Sequence, residues 1–118
     1  MSNNDPVPFR LEVDERTGVI LLALIGELDV ASAPSVRERL IELMRADNKL
    51  LVVDCGALSF IDSSGLALLT YAQLRMAEAG GQVRLAAISR RVRRVLELSG
   101  LTEVLACYPD VEEALAGS

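Results

Sequence analysis

Asp62, Ser63, Ser64 and Gly65 stand together where a strand-like apolar run gives way to a long apolar helix. A carboxylate or hydroxyl at such a junction accepts hydrogen bonds from the unpaired N–H groups of the first helical turn, so one reading of the four residues is a helix cap. A second reading starts from the same geometry. A helix N-terminus carries roughly half a positive charge, and a phosphate attached at this junction would be accommodated there. Its charge of about −1.5 to −2 would sit beside Asp62 and change any surface shown to a partner, without a change of fold. Ser63 and Ser64 both offer a hydroxyl to carry it. A third chemistry, serine as a nucleophile at a strand-to-helix turn, requires an adjacent base. The chain has no histidine, which leaves Lys49 or a carboxylate, and the order of residues is DSSG and not GxSxG.

The missing histidine also removes Ser-His triads and His-ligated metals. No Walker-type loop, GxGxxG, HExxH or cysteine-rich metal pattern occurs, so no cofactor is expected. Cys55 and Cys107 stand far apart and form no CxxC pair, and they read as two small buried thiols in a reducing compartment. Twelve basic against 17 acidic residues leave a net charge of −5, which disfavours binding to a phosphate backbone. Arg90, Arg91, Arg93 and Arg94 form the one dense basic stretch. With no aromatic residue interleaved they read as a solvated helix face, open to an acidic partner, and not as a nucleic-acid patch. The N-terminus lacks a basic region followed by an apolar stretch, and no segment is apolar for long enough to span a bilayer. A cytoplasmic chain with no membrane partner is the expectation.

The elements that would position the DSSG junction follow from periodicity. Residues 1–8, with Pro6 and Pro8 among polar residues, read as a flexible arm, and residues 9–118 as one domain of ordinary size. Phe9, Leu11 and Val13 alternate with charged residues in a half-buried strand, and Glu15 to Gly18 makes a turn. Val19 to Ile25 is continuously apolar, as expected of a strand covered on both faces, and Gly26 ends it. Ser32 is placed to cap a helix entered through Pro34, with Val36, Leu40, Leu43 and Met44 on its apolar stripe and Arg45 off it. Leu50 to Val53 is the next strand, CGALSFI a turn, and Ser64 to Ala79 a helix carrying Leu66, Leu68, Leu69, Leu74 and Met76. Gly80-Gly81 stops it. Val83 to Ile88, a helix capped by Ser89 with Val92, Val95, Leu96 and Leu98, a strand over Glu103 to Cys107 and a last helix after Pro109 complete the chain. Strand then helix, repeated, gives an α/β fold: one mixed, mostly parallel sheet of about five strands with about four helices, the first strand antiparallel. The loops leaving the carboxyl ends of parallel strands share one rim, and GELDVAS and FIDSSG are both there, which puts Asp29 near Ser63.

GELDVASAPSV, then LSFIDSSGLALL, then ISRRVRRVLELSGL, in this order and spacing, resemble the anti-sigma factor antagonists of the STAS domain family, over about Phe9 to Leu115. The resemblance implies a single STAS-like domain that is not an enzyme. It implies that Ser63 is the phosphoacceptor, that Asp62, Ser64 and Gly65 shape its loop, and that Asp29 lies close by. It further implies two protein partners. An anti-sigma factor that is itself a serine kinase binds the unphosphorylated chain, frees its sigma factor and later phosphorylates Ser63; a serine phosphatase acting on phospho-Ser63 restores the active form. The same family also supplies scaffold subunits of sensory complexes and accessory parts of transporters, which is the alternative role. Ile61 and Leu66 flank the acceptor and are compatible with either docking contacts or core positions.

Overall fold

The computed structural model describes residues 8–44 and 47–117. The arm expected over residues 1–8 lies outside them apart from Pro8, and so does Arg45. Five strands and four α-helices alternate: β1 (Arg10–Arg16), β2 (Val19–Leu28), α1 (Ala33–Leu43), β3 (Leu50–Ile61), α2 (Ser63–Glu78), β4 (Gln82–Ala86), α3 (Arg90–Leu98), a 3-10 turn (Leu101–Glu103), β5 (Ala106–Tyr108) and α4 (Val111–Ala116). The strands lie in the order β1-β2-β3-β4-β5. β1 is antiparallel to β2, and β2 to β5 are parallel, as the alternation of elements predicts. β1 runs to Arg16, so the turn before β2 shortens to Thr17-Gly18.

The inward residues Ile20, Leu22, Leu24, Leu51, Val53, Val83 and Leu85 meet Val36 and Leu40 of α1, Leu69, Ala72 and Met76 of α2, and Val92 and Leu96 of α3 in one core. Among the described residues the opposite face carries α4 alone, whose Ala114 packs on Val52 and Ala86. β2 is therefore fully covered on one face and not on two. Ile20, Leu22 and Leu24 are buried, whereas Leu21, Ala23 and Ile25 stay half-buried because α4 does not reach the β1–β2 half of the sheet. Beneath α4, the buried Arg84 donates from Nη1 to the Ala114 carbonyl at 2.7 Å and faces the Tyr108 ring, 5.6 Å from its centroid.

Two expectations about β2 and β3 fail together. Gly26 does not end β2, and CGALSFI is strand and not turn. Between Ala23↔Asp54 and Ile25↔Ala57, and again between Gly26↔Leu58 and Glu27↔Phe60, β3 advances one residue more than β2. These two bulges space the buried residues of β3 as Cys55, Leu58 and Ile61, three apart, which destroys the period of two that marks a strand in sequence. The bulged ribbon extends beyond the last β3–β4 pair, Asp54↔Ala86, and carries the DSSG junction at its tip.

The helices follow expectation at the positions that matter for the core. Leu69 is buried, which fixes the phase of α2, and Gly80 closes that helix at φ +79°. Leu74 and Leu98, expected on apolar stripes, point outward instead. β5 begins at Ala106 because Leu101–Glu103 forms a 3-10 turn that leaves Val104 exposed.

Candidate functional site

The rim after β2 and β3 brings Asp29 and Asp62 into one hydrogen-bonded structure. Asp62 is the N-cap of α2, in extended conformation, and its Oδ1 accepts from the N–H of Ser64 at 2.8 Å and of Gly65 at 3.2 Å. Its Oδ2 accepts from the Val30 N–H at 3.2 Å, 32 residues away in sequence. One carboxylate thus caps the helix and latches the β2–α1 loop to the β3–α2 loop. A backbone bond from the Asp62 N–H to the Leu28 carbonyl, 3.2 Å, ties the same two segments below it.

Asp29 closes its own turn, with Oδ1 accepting from the N–H groups of Ala31 and Ser32 at 3.0 and 3.1 Å. Ser32 is not the side-chain cap that its position suggested. Its hydroxyl donates to the Glu27 carbonyl at 2.7 Å and accepts from the Asp29 N–H at 3.0 Å, so it braces the turn before α1 and no side chain caps that helix. Glu27, Asp29 and Asp62 form no ion pair among the described residues, so the two latched loops carry three unneutralised carboxylates.

Ser63 is the first residue of α2 and is exposed; among the described residues its hydroxyl bonds to no protein group. Ser64 is half-buried. Gly65 is buried against β2 and β3, where a Cβ would lie 2.6 Å from Cγ1 of Ile61 and 2.9 Å from the Leu28 carbonyl oxygen. Ile61 is 2% exposed, so it is a core residue under Gly65 and not a docking contact; the bulges turn it inward. Leu66 is half-buried against the core. Sequence reasoning missed Val30, which stands 73% exposed beside the latch, and Phe60, 39% exposed on the ribbon. Nothing local marks either as outward-facing.

The alternative bases for a nucleophilic serine are poorly placed. Lys49 precedes β3 and Ser63 follows it, roughly 35–40 Å of strand away at about 3.3 Å per residue, and Lys49 Nζ donates to the Ala79 carbonyl at 2.7 Å. Asp62 spends its carboxylate on three backbone N–H groups. The thiols lie apart from this rim. Burial, with smaller contributions from Asp54 and Cys107, pushes Cys55 up to about 12, and burial also raises Cys107, so both are neutral at ordinary pH.

Residues 10–114 match the family model of the STAS domain. The chain belongs to the STAS domain family. Over 108 residues this STAS chain is 29% identical to an anti-sigma F factor antagonist of Paenibacillus polymyxa, a match covering 91% of this chain and 92% of that protein. The crystal structure of an anti-sigma factor antagonist from Mycobacterium paratuberculosis superposes with a TM-score of 0.84 at 26% identity, over 92% of each chain. The Bacillus cell fate determinant SpoIIAA in its phosphorylated form superposes with a TM-score of 0.71 at 26% identity, over 92% of this chain and 97% of that one. The five-stranded mixed sheet with four helices is thus the STAS fold.

The latch gives a direct test of how the STAS rim is built. Asp62→Ala removes the cap of α2 and should lower stability by about 0.5–2 kcal/mol. It should also speed amide exchange at Val30, Ser64 and Gly65 while leaving the interior strands protected, as read by hydrogen exchange. Unchanged exchange at Val30 would show that the two loops hold together without the carboxylate.

Proposed function

We infer that this chain is an anti-sigma factor antagonist switched by phosphorylation of Ser63. Its unphosphorylated form binds a kinase-type anti-sigma factor in the cytoplasm and releases the sigma factor held there; phosphorylation of Ser63 by that partner ends the binding, and a serine phosphatase reverses it. The observation that carries the reading is the state of Ser63. It is exposed at the start of a 16-residue helix, its hydroxyl is unused among the described residues, and the neighbouring carboxylate is committed to the backbone. Ser64, half-buried, is the poorer acceptor. A phosphate on Ser63 adds a charge of about −1.5 to −2 to a rim already bearing Glu27, Asp29 and Asp62, and so works on the docking surface and leaves the fold alone. The names of the relatives support the antagonist role, and the solved phosphorylated form of SpoIIAA supports a modification switch.

Ser63 is on this reading a substrate and the chain is not an enzyme: no base stands ready for the hydroxyl, and nucleotide reaches it in the partner's active site. The experiment is a three-component exchange, in which the chain is added to a purified complex of anti-sigma factor and sigma factor. Unmodified chain should displace sigma, and phosphorylated chain should not. Equal displacement by both forms would overturn the switch.

A further inference from the structure

Beside the latch, residues of α1 and α2 line a hollow of about 270 Å³. Its walls are Val30, Ala33, Pro34, Ala67 and Leu68; Ser64 closes the end nearest the acceptor, and Arg37 lines it from α1. The hollow exists because small residues, Ala33 and Ala67, stand where the two helices would otherwise fill the space between them. Pocket volumes for drug-sized ligands run from about 300 to 1,000 Å³, so this one is on the scale of a side chain and not of a cofactor.

Its charge is one-sided. Arg10, Arg16, Arg39 and Arg75 each pair with a carboxylate two or three residues away in sequence. Arg37 has no such partner among the described residues, and its guanidinium lies over the Tyr71 ring, 4.5 Å from the centroid. The ring holds the arginine by a cation–π contact and supplies no negative charge to it. An apolar hollow with an unneutralised cation in its lining suits an apolar side chain that has a carboxylate near it. Such an anchor filling a central pocket is what concentrates binding energy in protein interfaces.

We propose that this hollow is the seat of an apolar anchor residue of the anti-sigma factor, flanked by a carboxylate that pairs with Arg37, and that it fixes partner choice next to Ser63. This rests on the function inferred above. The hollow opens beside Ser64, and Val30, which forms its outer wall, is held by Asp62, so an anchor seated here would register the partner on the acceptor serine. It also separates recognition from modification: the hollow selects the partner, and the phosphate on Ser63 governs release.

The test uses the full chain and the kinase-type anti-sigma factor that phosphorylates it, with affinity measured by calorimetry. Ala67 and Arg37 are both exposed, so Ala67→Phe and Arg37→Glu should melt as the parent does. Each should weaken binding about tenfold or more, Ala67→Phe by filling the hollow and Arg37→Glu by reversing its charge, and Arg37→Lys should recover part of the loss. Should Ala67→Phe fail to fold, Val30→Lys, at a loop position 73% exposed, makes the same test. Variants that bind as the parent does would overturn this inference and leave the Ser63 switch standing. A parent that neither binds nor is phosphorylated by any anti-sigma factor of its source organism would overturn both. A parent that is dimeric by light scattering, and monomeric as Ala67→Phe with partner affinity unchanged, would assign the hollow to a second copy and overturn the proposal.

Discussion

Gly65→Ala should destabilise the protein by about 1–3 kcal/mol, a fall in melting temperature of roughly 4–12 °C, although it adds one methyl group to a helix. Alanine is ordinarily the better helix residue, so propensity alone predicts a gain. Contact decides the sign. The new Cβ would come within 2.6 Å of Ile61 Cγ1, 2.9 Å of Leu28 Cγ and 2.9 Å of the Leu28 carbonyl oxygen. The last is backbone of a central strand and has nowhere to move, so the start of α2 must lift from the ribbon. That displacement carries Ser63 and strains the Asp62 latch, and phosphorylation by the partner should slow with the loss of stability. Thermal unfolding checks the first effect and a phosphorylation time course the second. A variant at least as stable as the parent would mean that α2 does not sit as closely on β2 as described.

Ser63→Asp should weaken binding to the anti-sigma factor by about tenfold to a hundredfold, whereas Ser63→Ala should bind nearly as the parent does. Alanine deletes a hydroxyl that makes no bond among the described residues, and the cap of α2 belongs to Asp62. Aspartate places a charge under the docked partner, where an unpaired polar group costs about 1–3 kcal/mol and a charged one more. It would stand beside the carboxylate of Asp62, with Asp29 and Glu27 on the loop that Asp62 latches. Titration of both variants against the same partner reads the difference directly. Equal affinities would remove electrostatics as the basis of the switch.

Much of this architecture was legible in the sequence, because its signals are local. The antiparallel β1 follows from a tight turn between two apolar runs, and the phase of α2 from leucines at helical spacing. The junction at Asp62 and Ser63 was legible for the same reason: a cap is a relation among residues two and three apart. What escaped depends on pairing. The bulges that carry β3 on to Ile61 show only against β2, and without them CGALSFI reads as a turn and Ile61 is open to either a docking or a core position. Ser32 carries the right side chain for a cap, yet its hydroxyl is drawn back to the Glu27 carbonyl at the end of β2, a partner that shows only once the turn is closed. Val30 is apolar and exposed, and only the long-range bond to Asp62 shows what holds it there.

The most direct test of the switch is intact-mass analysis of the chain after incubation with ATP and each kinase-type anti-sigma factor of its source organism, with the modified residue mapped by fragmentation. One phosphate is expected, on Ser63, formed with a single partner and absent from Ser63→Ala. A phosphate on Ser64, or none with any candidate, would contradict it and turn attention to a STAS scaffold in a sensory or transport complex.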